Sequence, residues 1–245
     1  MEDENNSIIF FNKGVSFSND GKYGDAIDYY DKAIELNPNY ADAWYCKGNA
    51  LGDLKKYEDA IICYEKTTEI DPNYVDAWYN KGLKFLKLEK YEDAIVCFDK
   101  VIEINPYDGY AWFNKGNALG LLDKYEDSIN CYNKAIEINP NSINNWLFKG
   151  YALCDLKRYE DSIVCFDKAI EIDPKNVDAL YNEGIALIKL NKYLEAFIYF
   201  DKVIEINPKH AYAWYNKSII LRENGKIVGA ALALEKAIEL DPSLK

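Results

Sequence analysis

Six cysteines and a single histidine are the residues of this 245-residue chain best suited to nucleophilic, redox or metal chemistry. Cys63, Cys97, Cys131 and Cys165 recur every 34 residues, so a zinc site or a pair of disulfides has to be considered first. Zinc needs sulfurs converging at about 2.3 Å, and a disulfide needs Cα atoms within about 7 Å. Equivalent positions on successive packed helices lie about 8–10 Å apart, so the series is a ladder that meets neither requirement. Tyr29, Tyr199 and Ala233 fill the same slot elsewhere, which is what a packing position tolerates. The four are expected as small buried thiols; Cys46 and Cys154 are isolated. His210 follows Pro208 in a loop and is expected to be solvated. No serine or cysteine has a neighbouring histidine, no glycine-rich phosphate loop appears, and carboxylates are spread evenly. No catalytic residue, metal or cofactor is assigned, and the chain is expected not to be an enzyme.

The cysteine spacing is one voice of a repeat that runs through the whole chain. Prolines stand at Pro38, Pro72, Pro106, Pro140, Pro174, Pro208 and Pro242, every interval being 34 residues. Gly14, Gly48, Gly82, Gly116, Gly150 and Gly184 keep the same phase, with Ser218 in the seventh slot. Trp44, Trp78, Trp112, Trp146 and Trp214 precede that slot by four residues, where Phe10 and Leu180 complete the series. Seven repeats therefore start near residues 7, 41, 75, 109, 143, 177 and 211.

Each repeat reads as two helices. In residues 41–74, Trp44, Tyr45, Gly48, Leu51 and Leu54 form a helical stripe. A turn follows, marked in other repeats by Asp20-Gly21 and Asn224-Gly225. A second helix begins near Tyr57-Glu58-Asp59, where acidic side chains complement the positive end of the helix dipole, and buries Ala60, Ile61, Tyr64 and Ile70. Pro72 cannot continue it, which closes the repeat. Glycine inside a helix costs about 1 kcal/mol relative to alanine. Its recurrence implies a close helix crossing, with Ala60, Ala94, Ser128, Ala196 or Ala230 expected as the opposing surface.

Trp44, Gly48, Leu51, Ala60, Tyr64 and Pro72, repeated seven times at this spacing, resemble the tetratricopeptide-repeat signature. The resemblance covers residues 7–244, and residues 1–6 are left as an acidic amino-terminal cap. One departure is lysine before the glycine, at Lys13, Lys47, Lys81, Lys115, Lys149 and Lys217, where the family pattern has leucine. Its methylene stem is expected to lie on packed surface, with the ammonium in water. The family resemblance implies an all-α, right-handed superhelical solenoid of seven helix-turn-helix repeats, first helices lining a concave groove and second helices outside. It also implies binding of a protein or an extended peptide.

The expected groove slots carry two series. Asn12, Asn80, Asn114, Asn182 and Asn216 stand two residues before the glycine slot, and Asn49 and Asn117 one residue after it. An amide matches the alternating donors and acceptors of peptide backbone, and such ladders resemble those with which some family members hold main chain. Equally, these amides could bond neighbouring helices or water. Three before the glycine come Phe11, Tyr45, Tyr79, Phe113, Tyr181 and Tyr215, placed either to grip a ligand or to pack on the next helix. Leu147, Phe148, Tyr151, Ile185 and Ile188 replace polar groove residues with apolar ones, and are expected to form a specificity pocket. The family's basic clamp for acidic chaperone tails has no counterpart here, where the corresponding slots offer Asp42, Asp76 and Asp178.

Net charge is −12, which repels phosphate backbones and argues against nucleic acid while favouring a neutral to basic segment. No apolar run is long enough to cross a membrane, and Met1–Asn6 does not resemble a signal peptide, so a cytoplasmic location is expected. The last repeat drifts to Ser218 and Ile227, and Val228–Leu234 is apolar. Head-to-tail self-association through this carboxyl-terminal repeat is the second expectation, and a regulatory repeat region of a larger enzyme the third.

Overall fold

The structure, a computed structural model, describes residues 2–245. Met1 and the side chains of residues 2–4 lie outside the described residues, and with them most of the cap expected over 1–6. Fourteen α-helices make up the described residues, with one 3-10 turn at Pro242–Leu244 and no strand. In order they are α1 (Glu2–Asn19), α2 (Tyr23–Leu36), α3 (Ala41–Asp53), α4 (Tyr57–Ile70), α5 (Val75–Lys87), α6 (Tyr91–Ile104) and α7 (Gly109–Leu121). Then follow α8 (Tyr125–Ile138), α9 (Ile143–Asp155), α10 (Tyr159–Ile172), α11 (Val177–Lys189), α12 (Tyr193–Ile206), α13 (Ala211–Glu223) and α14 (Ile227–Leu240). Odd-numbered helices are the first of each repeat and even-numbered ones the second.

By contact the helices fall into two bodies, residues up to Lys124 and residues from Tyr125. In the amino-terminal body each helix packs on the next from α1 to α7, and first helices also touch one another, α1 on α3, α3 on α5 and α5 on α7. The carboxyl-terminal body repeats the scheme from α8 to α14, with α9 on α11. First helices thus make a continuous face from α1 to α7 in the amino-terminal body, and α9 and α11 adjoin in the carboxyl-terminal one.

The tight crossing inferred from the glycines is present, but its partner is an aromatic ring and not the small residue expected. A Cβ on Gly48 would lie 2.7 Å from Tyr64, and one on Gly82 2.8 Å from Phe98. On Gly150 it would lie 2.5 Å from Phe166, and on Gly184 2.9 Å from Phe200. Those rings are fully buried, and Ala60, Ala94 and Ala196 are buried beside them. The glycine exists to seat a ring, since Tyr64 and Phe98 occupy the volume a side chain would need. In the last repeat the pair changes together: Ser218 takes the glycine slot and Leu234 the ring slot.

Two further periodic series prove to be one lock. The indole Nε1 of Trp44 donates to the Pro38 carbonyl at 2.9 Å, and Trp78, Trp112, Trp146 and Trp214 do the same to Pro72, Pro106, Pro140 and Pro208. The tryptophan therefore fixes the loop by which its own repeat is entered. Each turn inside a repeat passes through a left-handed residue, Gly21 and Gly225 at the ends but Lys55, Glu89, Asp123, Lys157 and Asn191 between them. The following amide closes it, as Lys56 N–H does on the Leu51 carbonyl at 2.9 Å, which ends the helix in a Schellman-type cap.

Candidate functional site

The first-helix face is built from the asparagine and aromatic series, and the two meet. In the amino-terminal body, Asn80 Nδ2 donates to the Tyr45 phenol and to Asn49 Oδ1, both at 3.1 Å. Asn49 Oδ1 also accepts from the Tyr64 hydroxyl at 2.8 Å, so four side chains form one network. Asn114 Nδ2 donates to the Tyr79 phenol at 3.0 Å and to the Tyr110 carbonyl at 2.9 Å. In the carboxyl-terminal body Asn216 repeats the pattern on Tyr181 at 3.2 Å and on the Tyr212 carbonyl at 2.9 Å. Asn182 donates to the Asp178 carbonyl at 2.8 Å.

Of the two roles open to these amides, bonding to a neighbouring helix accounts for the nitrogens of Asn80, Asn114 and Asn216, while that of Asn182 bonds within its own helix. Because a main-chain carbonyl can only accept, the bonds to Tyr110 and Tyr212 fix which way each amide points. The side-chain carbonyls of Asn80, Asn114 and Asn216 accept no hydrogen bond among the described residues, so acceptor capacity is what remains for a ligand. Asn12 is exposed on α1, while Phe113 and Asn117 are half-buried on α7.

The aromatic series divides its surface. Tyr45, Tyr79 and Tyr181 are half-buried, and desolvation raises their phenol pKa values above the usual range. Each rests on the ring beneath its own glycine: Tyr45 is 6.0 Å from Tyr64, Tyr79 5.9 Å from Phe98 and Tyr181 5.8 Å from Phe200. Phe11 packs in the same way on Tyr30, and Tyr215 is half-buried on α13. The outer edge of the ring is covered by the first residue of the next repeat's entry, Tyr40 on Phe11, Tyr74 on Tyr45 and His210 on Tyr181.

His210 is thereby corrected. Instead of standing solvated in a loop, it caps α13, its Nδ1 accepting from the Ala213 amide at 3.1 Å, with its ring 4.8 Å from Tyr181. Burial lowers its pKa, so the neutral, accepting form suits the cap.

The apolar cluster of the carboxyl-terminal body also needs one correction. Leu147 is only 4% exposed, packed among Phe166, Ala169, Ala179 and Ala186, and lies beneath the surface. Phe148 is 37% exposed and lies tilted against Tyr151 at 5.6 Å, which sits 5.9 Å from Phe166. Ile185 and Ile188 are half-buried on α11 beside Tyr181.

Four of the lysines before the glycine are half-buried and paired with an acid. Lys47 pairs with Asp31 at 2.5 Å, Lys81 with Glu65 at 3.0 Å, Lys115 with Asp99 at 2.5 Å and Lys217 with Asp201 at 2.5 Å, each acid lying on the preceding repeat's second helix. The ammonium also lies over the repeat's tryptophan, as Lys47 does over Trp44 at 5.5 Å. Sequence reading passed over the exception. Glu183 occupies this slot in the sixth repeat, 2% exposed, with Oε2 unpartnered, and the residue facing it is another acid, Asp167. Burial raises its carboxyl to about 7, with the Tyr199 hydroxyl facing it and Lys202 nearby. The signal was available as the one break in the lysine series.

The cysteines are free thiols, Cys63, Cys97, Cys131 and Cys165 at most 4% exposed. Burial pushes Cys63 and Cys165 up to about 11 and Cys97 to about 12, which keeps them protonated and poorly nucleophilic. Among the described residues no group of three or more histidine, cysteine or acidic side chains could hold a metal ion.

The sequence profile described as tetratricopeptide repeat matches residues 7–40, 41–74, 75–108, 109–142 and 177–210. Related repeat profiles match 150–191 and 199–231. The chain belongs to the tetratricopeptide repeat family. Such repeats generally serve as protein–protein interaction scaffolds and are typically not enzymes. Short segments resemble curated proteins. An uncharacterized protein of Methanocaldococcus jannaschii is 50% identical over 38 residues, 16% of this chain and 44% of that one. Photosystem I assembly protein Ycf3 of Acaryochloris marina is 45% identical over 42 residues, 17% of this chain and 25% of that one. The chain thus spans less than half the length of these relatives.

Solved structures are similar over much more of the tetratricopeptide-repeat chain. YrrB, described as a TPR protein with an unusual peptide-binding site, is 26% identical with a TM-score of 0.68, over 77% of this chain and 97% of that one. A tetratricopeptide repeat protein from Parabacteroides merdae, 18% identical, has a TM-score of 0.72 over 97% of this chain and 94% of that one. MamA from Desulfovibrio magneticus, 23% identical, has a TM-score of 0.66 over 70% of this chain and 97% of that one. The tandem helix-pair solenoid is therefore the fold class. No helix among the described residues is long and apolar enough to cross a membrane.

Proposed function

We propose that this chain is an adapter that holds an extended peptide segment on its first-helix faces and selects segments rich in N–H donors. The observation carrying this reading is the one-sided use of the asparagines. The nitrogens of Asn80, Asn114 and Asn216 turn inward to Tyr45, Tyr79 and Tyr181, and the carbonyls of these three stay unbonded among the described residues. A row of acceptors suits peptide amides and the side chains of lysine and arginine. Exposed Asp76 and Asp178 on the same helices add negative charge, which favours a basic over an acidic segment. On the carboxyl-terminal body, Phe148, Tyr151, Ile185 and Ile188 supply an apolar contact for one large side chain of a segment held on that body's own first-helix face. YrrB's described peptide-binding site makes the reading reasonable for a chain 26% identical to it.

The test is selection from a random-peptide library on the purified protein, beside a variant carrying Asn80→Ala, Asn114→Ala and Phe148→Ala whose helicity is checked by circular dichroism. The parent is expected to enrich segments with lysine or arginine beside a large apolar residue, and the variant to lose them. Absence of enrichment on the parent rejects the adapter reading.

A second reading has its own observation. Ile227, Val228 and Leu232 on α14 are 64%, 76% and 62% exposed, which suits self-association through the last repeat. It predicts an apparent mass that rises with concentration and falls back in Leu232→Lys; a concentration-independent monomer rejects it.

A further inference from the structure

The lysine slot shows what an amine at this place requires. In four repeats its ammonium receives a carboxylate from the preceding second helix at 2.5–3.0 Å. In the fifth repeat the lysine is kept, as Lys149, but the acid has become Asn133. Lys149 makes no ion pair or hydrogen bond among the described residues, and its ammonium lies 5.6 Å above the Trp146 ring.

A second change accompanies the first. Arg158 stands where the other repeats have lysine, at Lys22, Lys56, Lys90, Lys124, Lys192 and Lys226. Asp161 and Glu126 hold its guanidinium at 2.7 and 3.5 Å. Between these groups lies a cavity of about 260 Å³, lined by Asn133, Trp146, Lys149, Leu153, Arg158 and Val164 among others. Lys149 is its cation without an acid, the Asn133 amide is able to donate, Arg158 is paired with the Asp161 carboxylate that also lines the cavity, and indole, aliphatic groups and the Cys165 thiol complete the lining.

We infer that this outer pocket of the fifth repeat binds a carboxylate attached to an apolar body, the carboxylate taking the place that an acidic side chain fills in the other repeats. Lys149 supplies the charge, the Asn133 amide supplies a hydrogen bond, and Trp146 with Val164 covers the apolar part. The negative net charge of the whole chain does not forbid this, because charges more than a Debye length of about 8–10 Å away are largely screened. The pocket lies on α8, α9 and α10, separate from the asparagine face, and its failure leaves the adapter reading untouched.

The source of the carboxylate is either a free organic acid or an acidic side chain of a protein, and one experiment separates them. The indole N–H resonance of Trp146, identified with Trp146→Phe, is followed by NMR during titration with 3-phenylpropionate and with its neutral amide. A parallel titration uses the capped tripeptide Phe-Glu-Phe and its Phe-Gln-Phe counterpart. A saturable shift is expected with an acid and at least tenfold weaker response with the matching amide. Asn133→Asp restores the internal ion pair while preserving the fold, and is expected to weaken binding at least tenfold. Response to the small acid alone assigns the site to free acids; response to the tripeptide alone assigns it to protein side chains. Equal response to acid and amide, unchanged binding in Asn133→Asp, or no saturable shift with either probe overturns the inference.

Discussion

Nδ2 of Asn114 donates to the phenol of Tyr79 at 3.0 Å, joining one first helix to the next across 35 positions of sequence. The bond makes the two series that face a ligand also the two series that hold adjacent repeats together. Tyr79→Phe and Asn114→Ala are each expected to cost about 1 kcal/mol in urea unfolding, the net value of one hydrogen bond. The double mutant should cost about 0.5–1 kcal/mol less than their sum, because both remove the same bond. Simple additivity would show that the contact contributes nothing.

Gly150→Ala improves helix propensity by about 1 kcal/mol yet places a methyl group 2.5 Å from Phe166. Overpacking of that kind costs about 1–3 kcal/mol, so the variant is expected to be the less stable. Combining it with Phe166→Leu should recover part of the loss, following the Ser218 and Leu234 pair of the last repeat. Thermal denaturation of the three variants decides the point; a stabilised Gly150→Ala contradicts the crossing geometry.

Glu183 gives a pH dependence whose sign is fixed. Its folded carboxyl titrates at about 7 against an ordinary 4.5, so the native state holds a proton that the unfolded chain releases. Its contribution is therefore intact below pH 4.5, declines as pH rises toward 7, and is flat above that. Glu183→Gln removes the titration. The difference in unfolding free energy between variant and parent should grow from pH 4.5 to 7.5 by about 3 kcal/mol in favour of the variant. A pH-independent difference refutes the assignment. Glu183→Lys, facing Asp167, should stabilise the protein at pH 8 by restoring the ion pair of the other repeats.

Lys157 sits in the turn between α9 and α10 with φ of 58°. A left-handed residue with a Cβ costs about 1–2 kcal/mol, partly offset by the greater entropy glycine loses on folding. Lys157→Gly is expected to gain about 0.5–1 kcal/mol, visible as a higher melting temperature. Gly21→Ala, at φ of 73°, should lose a similar amount.

The repeat boundaries were legible because proline and the entry tryptophan sit at fixed phase, and α4, expected to begin near Tyr57, runs Tyr57–Ile70. Spacing along one helix says which residues share a face, but not which residue of another helix lies opposite. That is why the glycine was matched with Ala60 when Tyr64 fills the space. The same limit hid the destination of the lysine amine, since Asp31 and Lys47 are 16 positions apart and belong to different repeats. His210 was misread because a single histidine after a proline carries no sign of the Tyr181 ring that covers it. Leu147 was misread because an apolar residue in an otherwise aromatic series looks equally like surface and core.

The lysine–acid pairs also act as addresses. Apart from Asn133 and Glu183, each repeat presents an acid to its successor and an amine to its predecessor, so the charges state which neighbours suit one another. In native order the last four repeats make the junctions Asn133 with Lys149, Asp167 with Glu183 and Asp201 with Lys217. Transposing the fifth and sixth repeats would instead join Asn133 to Glu183, Asp201 to Lys149 and Asp167 to Lys217, leaving no mismatched junction. The 34-residue period makes such a permuted gene simple to build. What it would erase, and the native order retains, is one amine without an acid and one carboxyl that titrates near neutrality.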